Sequence, residues 1–132
     1  MKRLAIDVRP GEYTVVRLPA DAPVPPGLLD PSAPGFVSLT RTQGELSVIC
    51  PAGRAPVGDA VENGWRLLGV RGPLEFTLTG VIAALAGELA AAGVALFSMS
   101  TFDTDYILVR ETDLDRAIKA LRDSGHEVAH LP

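Results

Sequence analysis

Cysteine, lysine, histidine and aromatic residues are all scarce in this chain. A single cysteine among 132 residues, Cys50, excludes an intramolecular disulfide and any cysteine-based zinc cluster. It lies in the apolar run Leu46-Ser47-Val48-Ile49-Cys50, so it reads as a buried core thiol. Only two lysines accompany ten arginines, the arginines are scattered rather than striped, and the net charge is −4. The basic footprint of a nucleic-acid binder is therefore missing. The two histidines, His126 and His130, have neither cysteine partners nor a nucleophile beside them, and each is read as a surface residue. Long apolar runs are absent as well. The longest stretch without a charge, Leu89–Phe102, is broken by Gly93 and is too short to span a bilayer. Met1-Lys2-Arg3-Leu4-Ala5-Ile6-Asp7 lacks the apolar core and cleavage pattern of a signal peptide. The expectation is a soluble, cytoplasmic protein with no membrane or nucleic-acid partner.

What is present is enough apolar material for a core: 47% of residues are hydrophobic and 21% charged. The length suits one compact domain or two very small modules sharing a core. Leu4–Val8 and Tyr13–Leu18 read as strands separated by the Arg9-Pro10-Gly11 turn signal. Residues 19–35 hold six prolines and two glycines, a loop with room for one short turn around Leu28-Leu29. Phe36–Thr42 and Glu45–Cys50 form a hairpin across Gln43-Gly44, residues 51–64 read as irregular with at most a helical turn near Val57–Val61, and Trp65–Val70 is another strand.

The second half is more regular. Val81, Ile82, Leu85 and Leu89 recur at helical spacing within Gly80–Ala92, with Thr79 placed as cap and Gly93 as stop. Strands Val94–Thr101 and Asp105–Glu111 follow. A second helix, Asp113–Ser124, sets Leu114, Ala117, Ile118 and Leu121 on one face behind a capping box of Thr112 and Asp115. His126–Leu131 closes as a strand. The order strand–helix–strand–strand–helix–strand is the ferredoxin-like βαββαβ arrangement, an α+β fold. Phe36–Pro51 also aligns without a gap on Leu96–Glu111, sixty residues on, matching Ser38 with Ser98 and Ile49 with Val109. Two modules are expected: a reduced one over residues 1–63, its helices short or absent, and a complete one over residues 64–132.

For chemistry, Asp103-Thr104-Asp105 offers two carboxylates, but no further EF-hand ligands, phosphate-binding glycine loop or H-E-x-x-H helix accompanies them. No G-x-S-x-G elbow occurs either. No catalytic residue, metal site or cofactor is assigned. Trp65 and Tyr106 read as core aromatics, and Asp103 as a turn former. The loop into the first helix is a better candidate. The amides of Gly80, Val81 and Ile82, beside Thr79, lie at the positive end of a helix and could receive an amino-acid carboxylate. Asp105 could pair with the ammonium, with Thr101 and Phe102 offering carbonyls and an apolar wall. The plainer alternative is that Thr79 is only a cap and Gly80 a packing glycine.

Phe76-Thr77-Leu78-Thr79-Gly80-Val81-Ile82 and Ser98-Met99-Ser100-Thr101-Phe102-Asp103-Thr104-Asp105-Tyr106-Ile107-Leu108-Val109 resemble the small bacterial tandem ACT-domain proteins. That family is related to the ACT modules of aspartate kinases and to the arginine-sensing Castor proteins. The resemblance extends to Pro10-Gly11-Glu12-Tyr13, Arg17-Leu18-Pro19 and Gly64-Trp65-Arg66. It implies ferredoxin-like ACT modules in tandem that bind an amino acid at an interface between modules. The ligand-binding residues it implies are Thr79, Gly80, Val81 and Ile82, with Thr101, Phe102, Thr104 and Asp105 opposite. Leu78 departs from the acidic residue the arginine sensors carry in this loop. A non-enzymatic, allosteric regulatory protein is expected, a homodimer acting on a separate protein partner. The alternative is a ligand-free assembly module.

Overall fold

Alternation of apolar and polar residues, interrupted by glycine and proline, sets out eight strands among the described residues. They are β1 (Ala5–Val8), β2 (Tyr13–Leu18), β3 (Ser38–Arg41), β4 (Leu46–Pro51), β5 (Ala60–Val70), β6 (Leu96–Ser100), β7 (Asp105–Arg110) and β8 (Glu127–His130). Helix α1 (Val81–Ala91) lies between β5 and β6, and α2 (Leu114–Asp123) between β7 and β8. The structure is a computed structural model and describes residues 3–72 and 80–132. The chain divides into a helical unit, Met1–Pro10 with Arg66–Pro132, and a reduced unit, Gly11–Trp65.

In the helical unit the strands run β8-β1-β5-β7-β6. This is the ferredoxin-like order with one strand added: β1 pairs antiparallel with β5 and parallel with β8, separating the first and last strands of the βαββαβ unit. Both helices pack on one face of this sheet. Leu85 and Leu89 of α1 and Ala117, Ile118 and Leu121 of α2 share a core with Ile6, Val8, Leu68, Val70, Ile107 and Val109. Alternate strand residues line that core, as a pleated strand requires.

The reduced unit keeps the same plan without helices. Its order is β3-β4-β2-β5, with the N-terminal half of β5 as the last strand. Leu28, in the short turn expected there, is buried with Val16, Leu18, Leu46, Val48 and Cys50 under the proline-rich loop. Cys50 is a free, buried thiol, and burial raises its pKa.

Four expectations are corrected. The segment read as irregular over residues 51–64 begins β5 at Ala60, because Ala60, Val61 and Glu62 pair with Arg17, Val16 and Val15. Backbone pairing with a neighbour outweighs weak strand propensity. The register then shifts between Tyr13 and Val15, opposite Gly64 at φ +81°, so the glycine serves a bulge. The helical turn lies at Ala52–Arg54, not near Val57–Val61.

Secondly, no capping box opens α2. A 3₁₀ turn, Glu111–Asp113, leads directly into the helix, no side chain caps it, and the Asp113 carboxylate accepts from Arg116 at 2.5 Å.

Thirdly, the internal repeat is real but offset by one residue. Arg41 with Leu46 closes the first hairpin and Ser100 with Asp105 the second, so equivalent positions lie 59 apart rather than sixty. The shift matters because a one-residue slip exchanges the faces of a strand. With the offset of 59, Val48 and Cys50 match Ile107 and Val109, each pair in its unit's core.

Finally, His126 is not a surface residue but 5% exposed. Its Nδ1 accepts the Leu4 N–H at 3.1 Å, which fixes the proton on Nε2, 2.8 Å from Glu88 Oε1. The cause is the added strand: the Leu4 amide just before it needs an acceptor beside β8.

Leu85 is 1% exposed in the helical unit's core. Leu85→Ala is expected to lower stability by about 2–5 kcal/mol, read from the midpoint and slope of urea unfolding.

Candidate functional site

Those of the expected site residues that are described lie on two segments of the helical unit, the start of α1 and the corner between β6 and β7. Helix α1 joins the start of β6 through the short link 92–95, so its N-terminus points back toward the β6–β7 corner. The same end receives the C-terminus of β5, because Thr104 Oγ1 donates to the Val70 carbonyl at 2.6 Å. The end of β5, the start of α1 and the hairpin corner are therefore neighbours by topology.

At the helix start, Gly80 is the N-cap, exposed, with φ +81°. Its carbonyl accepts from Ala84 N–H at 2.9 Å. A left-handed N-cap explains the glycine, since a side chain there would be strained. The N–H groups of Val81 and Ile82 have no carbonyl within the helix to bond. Their side chains are committed to the core: Val81 is buried and Ile82 packs against it. Only their backbone can meet a ligand. Thr79, expected to cap α1, and Leu78 lie outside the described residues.

At the corner, Thr101 N–H donates to the Thr104 carbonyl at 2.8 Å, and Thr101 Oγ1 bonds both the Thr104 carbonyl and the Thr104 N–H. Thr101 thus closes the turn. Thr104 is buried and its hydroxyl proton is committed to Val70, so its role here is to fix the corner. Phe102 is 81% exposed. Asp105 pairs across the hairpin with Ser100, whose Oγ donates to Asp105 Oδ1 at 2.6 Å. The pair shares its face of the sheet with Ile107 and Val109, the face on which α1 packs. One end of the unit thus offers helix-terminal amides, suited to an anion, and a carboxylate suited to a cation.

Sequence reasoning missed two supports. Ser100 orients Asp105, and only the hairpin register shows it. The other is Asp7, 6% exposed on β1, which binds Arg71 at the base of the loop into α1. Arg71 Nη2 donates at 2.6 Å and Nε at 3.3 Å, while Arg71 N–H donates to the Ala5 carbonyl. The hydrogen bond from Arg71 holds the Asp7 carboxyl below its ordinary pKa, against the opposing effect of burial. Among the described residues no group of three or more His, Cys, Asp or Glu is placed to hold a metal ion.

Comparison with known proteins gives the family. An ACT-domain family model matches residues 60–123, and a model of an N-terminal domain matches residues 11–57. The solved structure of a protein from Agrobacterium tumefaciens is 33% identical, with a TM-score of 0.89, over 100% of this chain and 96% of that one. The chain belongs to the ACT-domain family. The human protein named cytosolic arginine sensor for mTORC1 subunit 1 is 30% identical over 101 residues, 70% of this chain and 31% of its own length. This ACT-domain protein therefore spans under a third of that relative. Aspartate kinase from Synechocystis shares the fold at 16% identity and a TM-score of 0.66, covering 96% of this chain and 27% of the kinase. Among the described residues, no helix of the ACT-domain protein is long and apolar enough to cross a membrane.

A lowered folded-state pKa means that the Asp7–Arg71 pair stabilises the fold above the ordinary carboxylate range, around pH 3.9. That contribution is lost as pH falls through the depressed folded value. Asp7→Asn should therefore unfold at lower urea than wild type at pH 7, and the two midpoints should converge as pH falls through the depressed folded value.

Proposed function

We propose that this ACT-domain protein is a non-enzymatic sensor that binds a free amino acid at the α1–hairpin end of its helical unit. The observation that carries the reading is the pairing of opposite electrostatics there. The helix N-terminus favours an α-carboxylate, and Asp105, oriented by Ser100, favours an α-ammonium. Val81 and Ile82 contribute amides, Thr101 and Phe102 a carbonyl and an apolar wall, and Thr79 and Gly80 the loop that meets the ligand. Thr104 holds the corner in place. The ACT family and the arginine-sensing relative support amino acids as the ligand class.

A second copy of the chain completes the site. Among the described residues strand β6 pairs on one side only, with β7, and its residues Leu96-Phe97-Ser98-Met99-Ser100 carry neither charge nor proline. Such an edge invites pairing. Ligand bridging two copies would shift their packing, the basis of an allosteric signal to a separate cytoplasmic protein partner.

A thermal-shift screen of the twenty amino acids tests this. A ligand at a hundred times its dissociation constant adds about 2.7 kcal/mol of stability, enough to move the melting temperature of so small a protein visibly. One amino acid, or a few related ones, should shift wild type. Asp105→Ala should weaken that binding about tenfold or more, while Asp103→Ala should leave it intact. No shift from any of the twenty would point to an assembly module instead.

A further inference from the structure

Among the described residues the helical unit ends in an edge strand on either side, β8 and β6, and the two edges are finished differently. Strand β8 pairs in parallel with β1: Glu127 N–H donates to the Leu4 carbonyl and Leu131 N–H to the Val8 carbonyl, both at 2.9 Å. Backbone groups alternate in direction along a strand, so Glu127, Ala129 and Leu131 bond β1, while those of His126, Val128 and His130 face away from it. Helix α2 reaches over this outer side. His126 N–H donates to the Leu121 carbonyl at 3.1 Å, and Arg122 Nη2 donates to the Val128 carbonyl at 2.8 Å. Arg122 stands in the last turn of α2, which places its guanidinium on the outer side of a strand only four residues long. Glu127, bridged to Arg3, adds charge along the same strand.

Strand β6 carries no such cover. Thr101 N–H bonds the Thr104 carbonyl, and in an antiparallel ladder bonded pairs alternate with unbonded ones. Met99 and Phe97 therefore bond β7, and the N–H and carbonyl groups of Leu96, Ser98 and Ser100 face outward. Among the described residues these outward groups have no hydrogen-bond partner. One edge is closed by a side chain from a helix, and the other is open along its whole length.

We infer that Arg122 is an edge guard: it takes the acceptor that a strand of another copy would use on β8, and so confines pairing between copies to β6. The consequence is closure. A contact of β6 with β6 is two-fold and ends with two chains, whereas β6 against β8 of the next copy repeats without limit. This rests on the reading above that a second copy pairs along β6, and it supplies the reason why that assembly stops at two.

Size-exclusion chromatography with light scattering, run on the full chain over a range of concentrations, tests this without any ligand. Wild type should reach the mass of a dimer and stop there. Arg122→Met, which keeps the apolar stem but loses the donor, should form species above the dimer that grow with concentration. Ser98→Pro removes an outward N–H without touching the β6–β7 ladder, and should by itself give a monomer. Combined with Arg122→Met, it should hold the mass at or below that of a dimer, since only β8 is then open. Should Arg122→Met fail to fold by circular dichroism, Arg122→Gln takes its place with the same expected growth. A folded variant that keeps the wild-type mass at every concentration would overturn the inference, as would growth that persists in the double variant. A monomeric wild type would count instead against pairing along β6. The guard would then be read from Arg122→Met alone, which should still associate through β8 and, if it stayed monomeric, would overturn the inference too.

Discussion

Both units depend on β5, because one strand of 11 residues closes the first and opens the second. Its N-terminal half, Ala60–Trp65, is the last strand of the reduced unit, paired with β2. Its C-terminal half is the first strand of the βαββαβ unit, paired with β1 and β7. The two halves carry different chemistry to match. Ala60 to Glu62 are exposed, while Leu67 to Val70 are buried. Gly64, at φ +81°, absorbs the shift of register within the β2–β5 ladder.

At the far end of β5, three independent interactions converge on two residues. The Val70 carbonyl accepts from Thr104, the Arg71 N–H donates to β1, and the Arg71 guanidinium grips the buried Asp7. The strand added from the N-terminus thus does more than widen the sheet. It holds the base of the loop from which α1 departs, so the backbone bearing the helix-terminal amides starts from a fixed point. A charge buried on β1 is tolerated because its partner hydrogen-bonds it with two nitrogens.

The two units share a hairpin plan but not its chemistry. Two hairpins with the same four-residue corner close with different pairs, an arginine with a leucine in one and a serine with an aspartate in the other. Without helices, the reduced unit covers its core with a proline-rich loop, and backbone carbonyls in such a loop need donors. Arg41 serves Ala20 and Ala22, and Arg54 Nη2 serves Pro34. In the helical unit α1 and α2 cover the core in place of such a loop, and the equivalent hairpin positions carry Ser100 and Asp105.

The sequence by itself determined the element types, the two helices, the presence of a repeated hairpin and the α+β class, because periodicity of 3.6 or 2 and glycine or proline punctuation are local signals. It also singled out the loop into α1 and the 101–105 corner, since a helix start and a tight turn can be read from neighbouring residues. Only the tertiary structure decided the rest. It placed β1 between β5 and β8, buried His126 against Leu4 and Glu88, corrected the repeat from sixty to 59, and paired Ser100 with Asp105. Each of these is set by strand register or by contacts between residues remote in the chain. A one-residue slip leaves the sequence pattern nearly unchanged while exchanging the two faces of a strand.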